Sequence, residues 1–600
     1  MFEDNIPAAE DNVLGVGDTC DSTGTSELSA DNHNVNIGLG LVSALALTAS
    51  ACGGDNGGSG IGNSSNSSAS SSSSVTLQYT STEAARFLLQ AQFSATDVEI
   101  TALRSSSYTA WLTTQFNTSI AQTGTAWLSA NGHGTPDASG NYFNPSFGDW
   151  MAWNQLMSGD GQLRKRLSLA LSEFFVVSLS PIDGFWPPYL IAAYWDMLNV
   201  NVFGNYRTLL EEVTLNPAMG FYLNTKGNLK EDSATGRQPD ENYAREVMQL
   251  FSIGLYELNL DGTPKTNSQG KPIETYGQPD ISNLAHVFTG YDWDYSQVTY
   301  QMTSFQTNPI PTTQFTQGHM KFDASKHSNL VVNFLGTTIA ANTTGASALK
   351  SALDTLFNHA NTGPFFAKQM IQRLVTSNPS PAYVSRVATI FNNNGAGVRG
   401  DLKAVWLAIL TDTEALTLPS STTAGKLREP MVRLAQIART FNVSSSTGKW
   451  EIYDLSNADT ALGQAPLRSP SVFNFFRPGY VPPNTALAAQ ALVAPEFQLH
   501  NETSTAGYIN FISNFINNGY ADVKLDLSSL ESLATDSTAL LASLNLHLTA
   551  SQLSTNTLQL MQTALDVNPV TSSSSTTDKY NRLYAAILLV VSCPEYLIQK

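Results

Sequence analysis

Pro239-Asp-Glu-Asn-Tyr-Ala-Arg-Glu-Val-Met-Gln-Leu-Phe-Ser-Ile-Gly254 reads as a helix with two differently equipped faces. At a step of about 100° per residue, Tyr243, Val247, Leu250 and Phe251 align in an apolar stripe suited to a core. Asn242, Arg245, Glu246 and Gln249 recur at i, i+3, i+4 and i+7 and share another face. Asp240 is placed to cap the helix, and Glu241 in its first turn complements the positive end of the helix dipole.

The same period recurs along the chain after Val75. Leu163, Leu167, Ala170, Leu171 and Phe174 follow it, as do Leu402, Val405, Trp406, Ile409 and Leu410. The spacing predicts a helix capped by Ser81, others from Asp97 and over 108–116, and a long series that includes 184–200, 484–517, 526–546 and 578–600. Strand signals occur in two places. One is Leu258–Tyr276, where Asp261-Gly262 and Gln269-Gly270 punctuate short extended runs into a small hairpin region. The other is 296–336, which alternates Thr, Gln, Phe and Val without helical period and reads as a long irregular excursion, a length often tied to function. No repeat at a solenoid period is found. The expected fold is therefore mainly α: a multi-helix array with one hairpin region and one excursion. Two subdomains, 79–295 and 337–600, would be joined by 296–336.

Composition narrows the function. Of 600 residues, 42% are apolar and only 13% charged, with a net charge of −18. Phosphate binding requires clustered Lys and Arg, and no basic stripe exists, so nucleic acid is excluded as a partner. Residues 1–52 read as an export signal. Ile37–Leu47 has the length of a signal core and is too short to span a bilayer. It leads into Ala49-Ser-Ala-Cys52, which makes Cys52 the candidate for lipidation. Residues 53–78, rich in Gly, Ser and Asn, form the tether. The motif has Ala49 where an aliphatic residue is usual, and no Lys or Arg precedes Arg86. The alternative is an ordinary signal cut after Ala51 that leaves Cys52 a free thiol. Either reading places the protein in the cell envelope or outside it; only the first attaches it to membrane, and then through the lipid alone. Of the remaining cysteines, Cys20 leaves with the signal and Cys593 is expected to be a buried small hydrophobe.

Several segments resemble the bacterial domain-of-unknown-function 1800 family. They include Ala84–Phe93, Leu163-Arg-Lys-Arg-Leu167, Asp240–Phe251, His286-Val-Phe-Thr-Gly290, Gly363–Leu374, Val398–Lys403, Arg468-Ser-Pro-Ser-Val-Phe-Asn-Phe-Phe476 and Cys593–Gln599. The resemblance covers the chain in order from about residue 80. It implies an exported helical protein whose partner is an exported protein of the sulfatase-like domain-of-unknown-function 1501 family. Near His327 similar proteins usually carry a Lys, where this chain has Val331 and Val332.

The candidate chemistry centres on Glu246 as general base, with Arg245 orienting an anion through its guanidinium fork and His286 assisting. Asn242, Gln249 and His327 are the binding candidates. The competing reading of the same residues is a structural network through Glu241/Arg245 and Asn242/Glu246 pairs. Glu246, His286 and His327 could together form a two-His, one-carboxylate set, but no local ligand spacing supports one, so no metal is assigned and no cofactor is named. Glu257–Gly262 only partly mimics a calcium loop, and a hairpin turn is the better reading. Phe185, Trp186, Tyr189, Tyr194 and Trp195 would stack sugar rings if exposed and are otherwise core. No Gly-x-Ser-x-Gly elbow, Walker loop or dinucleotide fingerprint appears. The expectation is a partner-binding or scaffolding envelope protein. The alternative is an envelope hydrolase acting on a polymer or sulfated glycan.

Overall fold

Polar caps fix where the helices begin. Thr80 Oγ1 accepts from the Glu83 amide at 3.1 Å, and the Glu83 carboxylate accepts from the Thr80 amide at 2.8 Å. Thr96 with Glu99 and Ser575 with Asp578 repeat this box. The first cap is thus Thr80, one residue before the expected Ser81. The structure, a computed structural model, describes residues 78–421 and 423–600. The signal, Cys52 and nearly all of the tether lie outside the described residues.

The described fold is mainly α, with paired strands of only two or three residues. At its centre lies the helix Pro187–Asn201, buried along most of its length. Helices Gly124–Ala130, Ser146–Met157, Gln162–Ser172, Tyr206–Leu215 and Pro217–Tyr222 surround it. Of the five aromatics weighed for sugar stacking, Trp186, Tyr189, Tyr194 and Trp195 are core residues and Phe185 is half-buried. The two tyrosine hydroxyls are satisfied internally: that of Tyr194 donates to the Phe175 carbonyl at 2.5 Å, and that of Tyr189 meets Ser129 Oγ at 2.9 Å, whereas the Trp195 indole Nε1 is buried without a partner. Residues on both sides of 296–336 contribute to this core. Arg166 donates to the Arg373 carbonyl at 2.9 Å, and the Leu179 amide to the Leu467 carbonyl at 2.8 Å.

Several expectations are corrected. The run 484–517 is not one helix, because Pro495 and the extended residue Asn501 divide it into Ala486–Ala489, a 3₁₀ turn Pro495–Leu499 and Glu502–Asn518. The run 526–546 breaks at Asp536, whose extended backbone and side chain start a new helix, Ser537–Thr549. The last long helix stops at Ser592, before Pro594. Strands occur beyond the two expected places, Lys426–Leu427 with Ile598–Gln599 and Ser444–Ser445 with Val523–Lys524. The excursion is itself partly ordered by pairing, Tyr300–Gln301 with Ile310–Pro311 and Val332–Phe334 with Thr337–Ile339.

The hairpin region holds a short tandem repeat, Leu258-Asn-Leu-Asp-Gly-Thr-Pro-Lys265 followed by Thr266-Asn-Ser-Gln-Gly-Lys-Pro-Ile273. Gly262 and Gly270 take matching left-handed φ values of 75° and 76° at the two turns. Glu257, Lys265 and Ile273 then bond in a closed triangle: Lys265 N to Glu257 O, Ile273 N to Lys265 O and Glu257 N to Ile273 O, at 2.7–3.0 Å. Asn361 anchors this small prism by accepting from the Leu258 amide at 2.9 Å and donating to the Ile253 and Tyr256 carbonyls at 2.8 Å.

Candidate functional site

The decisive helix runs Asn242–Gln249. Asp240 Oδ1 accepts from the Asn242 amide at 2.8 Å, and Asn228 holds Asp240 in turn. Tyr243, Val247 and Phe251 are buried as the stripe requires, while Leu250 is half-buried. The Tyr243 hydroxyl meets Thr214 Oγ1 at 2.7 Å.

On the polar face, Asn242 is exposed and Gln249 half-buried. Arg245 pairs with Glu241 at 3.2 Å. The same Glu241 carboxylate accepts from Gln278 Nε2 at 2.8 Å and Ser282 Oγ at 2.6 Å, so it ties this helix to the next, Gln278–Ala285. Glu246 is buried and its Oε2 has no hydrogen-bond partner. Burial raises its carboxyl to about 7, against the pull of Arg245. The Tyr276 hydroxyl is likewise buried without a partner, and burial and the Glu246 charge push it up to about 12.

The histidines are engaged elsewhere. His286 Nδ1 lies 3.1 Å from Glu231 Oε2. His327 is buried, its Nδ1 2.9 Å from the Thr289 carbonyl, with the Phe322 ring edge-on at 5.1 Å. Thr289 links the two, because its hydroxyl donates to the His286 carbonyl at 2.8 Å and accepts from the Ser328 amide at 2.9 Å. No group of three His, Cys, Asp or Glu side chains able to hold a metal occurs among the described residues. The structure therefore joins Arg245 to Glu241 and His286 to Glu231, and does not assemble Glu246, His286 and His327 into one ligand set.

Sequence reasoning missed the strongest concentration of charge. Glu173, Arg373, Arg166, Lys426, Glu429 and Glu496 are all buried and meet in the interior. Lys426 Nζ lies 3.0 Å from Glu496 and 3.7 Å from Glu429, and it donates to the Arg373 carbonyl at 2.7 Å. Arg373 Nε stands 3.7 Å from Glu173. Gln464 Nε2 donates to Glu429 at 2.7 Å. Burial and the neighbouring Glu429 push Glu173 well above the usual carboxylate range. Glu429 stays below it despite its own burial, because Lys426 and Arg166 stabilise its charge. Glu173 also lines, with Ser172, Met431, Leu467, Ser469 and Asn474, a cavity with room for about one water molecule. Arg166, Arg373, Ser469 and Asn474 lie in three of the segments that carry the family resemblance, Leu163–Leu167, Gly363–Leu374 and Arg468–Phe476. The available signal was charge inside apolar helical runs; nothing in the spacing showed that these runs meet.

Fold and site together define a mainly α-helical protein organised around a buried ionic centre. The chain belongs to the family described as protein of unknown function (DUF1800), whose model matches residues 86–598. No curated protein and no solved structure matches it.

Proposed function

We propose that this is an exported helical protein of the bacterial cell envelope, lipid-tethered through Cys52, that acts by binding a partner protein. The observation that carries this reading is the prism at Leu255–Tyr276. It is closed by its own backbone bonds and anchored by Asn361, yet it leaves Leu255, Tyr256 and Leu260 exposed within six residues. Exposed apolar side chains on a rigid projection, set among Glu257, Asp261 and Lys265, have the make-up of a protein-binding surface with a mixed-charge rim. The partner implied by the family resemblance is an exported protein of the domain-of-unknown-function 1501 family. The test is recovery of that protein with tagged full-length chain from envelope extracts. Leu255→Asp with Tyr256→Asp should lose it while leaving the thermal midpoint unchanged. Undiminished recovery would refute the assignment of this surface.

One observation favours the hydrolase reading. Glu246, held at about 7 beside the unpartnered Tyr276 hydroxyl, has the proton affinity of a general acid or base at neutral pH. In that reading Arg245 would orient an anionic polymer or sulfated glycan, with His286 acting only through Glu231. Hydrolysis of such a polymer that is abolished by Glu246→Gln would establish it.

A further inference from the structure

Trp186 is a bulky residue in left-handed backbone, φ 63° and ψ 46°, immediately before Pro187-Pro188. Both circumstances are costly, and such strain persists only where the surroundings impose it. Here they do. The Trp186 amide donates to the Tyr142 carbonyl at 2.7 Å, and its indole Nε1 donates to the Pro311 carbonyl at 2.6 Å. One buried residue thus pins three segments together: the turn Asn141–Phe143, residues 184–186, and the hairpin of Tyr300–Gln301 with Ile310–Pro311.

Rings project from that junction. Phe143 packs on Phe185 at 5.0 Å and 23°, and Phe305, from the hairpin loop, stacks with Tyr142 at 6.5 Å and 23°. Tyr142 bridges the pairs, 4.7 Å from Phe143 and 6.0 Å from Phe185. Phe143 is 45% exposed and Phe305 39%, although both sit in a rigid cluster. The surrounding chain has an unusual character. Residues 295–318 contain no Asp, Glu, Lys or Arg, but five Gln and six Thr. The nearest charges along the other two segments are Asp137 and Asp183, both exposed and both acidic.

We propose that this cluster is a binding platform for a neutral glycan. A pyranose offers an apolar C–H face ringed by hydroxyls. Rigid aromatic rings take the face at little entropic cost, and amide and hydroxyl side chains complete the rim. A protein partner would be expected to meet charge complementarity, and this surface supplies none. Sulfated or uronic sugars would find no cation along these three segments, and the nearest charges in sequence to two of them, Asp137 and Asp183, are acidic. The platform is separate from the prism surface proposed above and stands or falls independently of it.

The test is calorimetric titration of the full-length chain with cellohexaose, maltohexaose, mannohexaose and N-acetylchitohexaose, with a hexauronate as contrast. At least one neutral hexaose should bind with Kd on the order of 1 mM or tighter and quench tryptophan fluorescence, since Trp186 lies beneath the rings. Phe143→Ala and Phe305→Ala, both at exposed positions, should each weaken binding roughly 3- to 10-fold without changing the thermal midpoint. No binding by any neutral hexaose at about 10 mM, a preference for the hexauronate, or full affinity in the double variant would each overturn the proposal.

Discussion

Arg468 lies against Asp149 in a fork-to-fork pair, Nε to Oδ1 and Nη2 to Oδ2 both at 2.7 Å, with the two residues 319 positions apart in the chain. Asp149 is almost wholly buried and Arg468 nearly so, so each depends on the other for its charge to be tolerated. The pair fastens the helix Ser146–Met157 to the segment that forms one wall of the Glu173 cavity.

Removing one member strands the other. Arg468→Ala should therefore cost about 3–5 kcal/mol, and Asp149→Ala a similar amount. The double variant should cost less than their sum. Urea midpoints for the four proteins measure the coupling; strict additivity would show that the pair contributes nothing of its own.

Glu246 makes a prediction whose sign depends on pH. Its carboxyl titrates near 4.5 when free and at about 7 in the fold. The fold thus favours the protonated form. The stability this contributes is fully present below about pH 4.5 and is lost as pH rises through about 7. Half-buried Lys165 acts in the opposite sense. Burial, aided by Arg439, lowers it to about 7, so its contribution is lost as pH falls through that value. Only the difference between wild type and Glu246→Gln isolates the glutamate. The variant should match wild type at pH 4 and exceed it by about 1–3 kcal/mol at pH 8. A pH-independent difference would contradict the raised titration.

How much of this was legible in the sequence depends on whether the relevant partners are neighbours. Leu402–Leu410, predicted from period alone, is a helix with Leu402, Val405, Trp406, Ile409 and Leu410 all buried. The Asn242 helix was readable from its own period, although its cap is Glu241 rather than the expected Asp240, whose carboxylate accepts from the Asn242 amide from one position further out. The two-turn hairpin region was readable because Asp261-Gly262 and Gln269-Gly270 carry local turn chemistry. The break at Asp536 was not, since apolar spacing continues across it and only the cap interrupts the backbone. Glu246 was identifiable as polar on an amphipathic helix. Its lack of a bonded partner and its proximity to Tyr276 are tertiary facts. The ionic centre was invisible for the same reason: Arg166, Arg373 and Glu429 meet only once the segments that bear them pack.

Cysteine reactivity tests the core from inside. Cys593 is buried, and burial raises its thiol to about 11, so thiolate is scarce at neutral pH. In a Cys20→Ser, Cys52→Ser background, labelling by a thiol reagent should be negligible in the native protein and complete in urea, with a midpoint equal to that of unfolding. Rapid labelling without denaturant would place the thiol at the surface.

The lipid anchor is tested at the other end. A diacylated cysteine supplies most of the membrane affinity of a tethered protein. Cys52→Ser should therefore move the chain from the membrane fraction to the soluble one, and mass spectrometry of the wild type should find the N-terminus at a lipidated Cys52. An intact N-terminus, or unchanged fractionation of the variant, would remove the anchor from the proposed function.

The sharpest contrast lies between two adjoining carboxylates. Glu173 and Glu429 share the buried centre, but the cations are not shared equally. Glu429 faces Lys426 and Arg166 and keeps its charge, whereas Glu173 is driven toward its neutral form by burial and by Glu429 itself. Glutamine copies the shape of a protonated glutamate. Glu173→Gln should therefore cost less stability at pH 7 than Glu429→Gln does, because the fold favours the protonated, glutamine-like form of Glu173. Glu429→Gln removes the anion that offsets buried Lys426 and should cost about 3–5 kcal/mol. Glu496 remains 3.0 Å from Lys426, so the loss should fall toward the lower end of that range. Denaturant titrations of the two variants decide the matter. Equal costs would mean that the centre holds its charge symmetrically, and a costlier Glu173→Gln would mean that the proton sits on Glu429 instead.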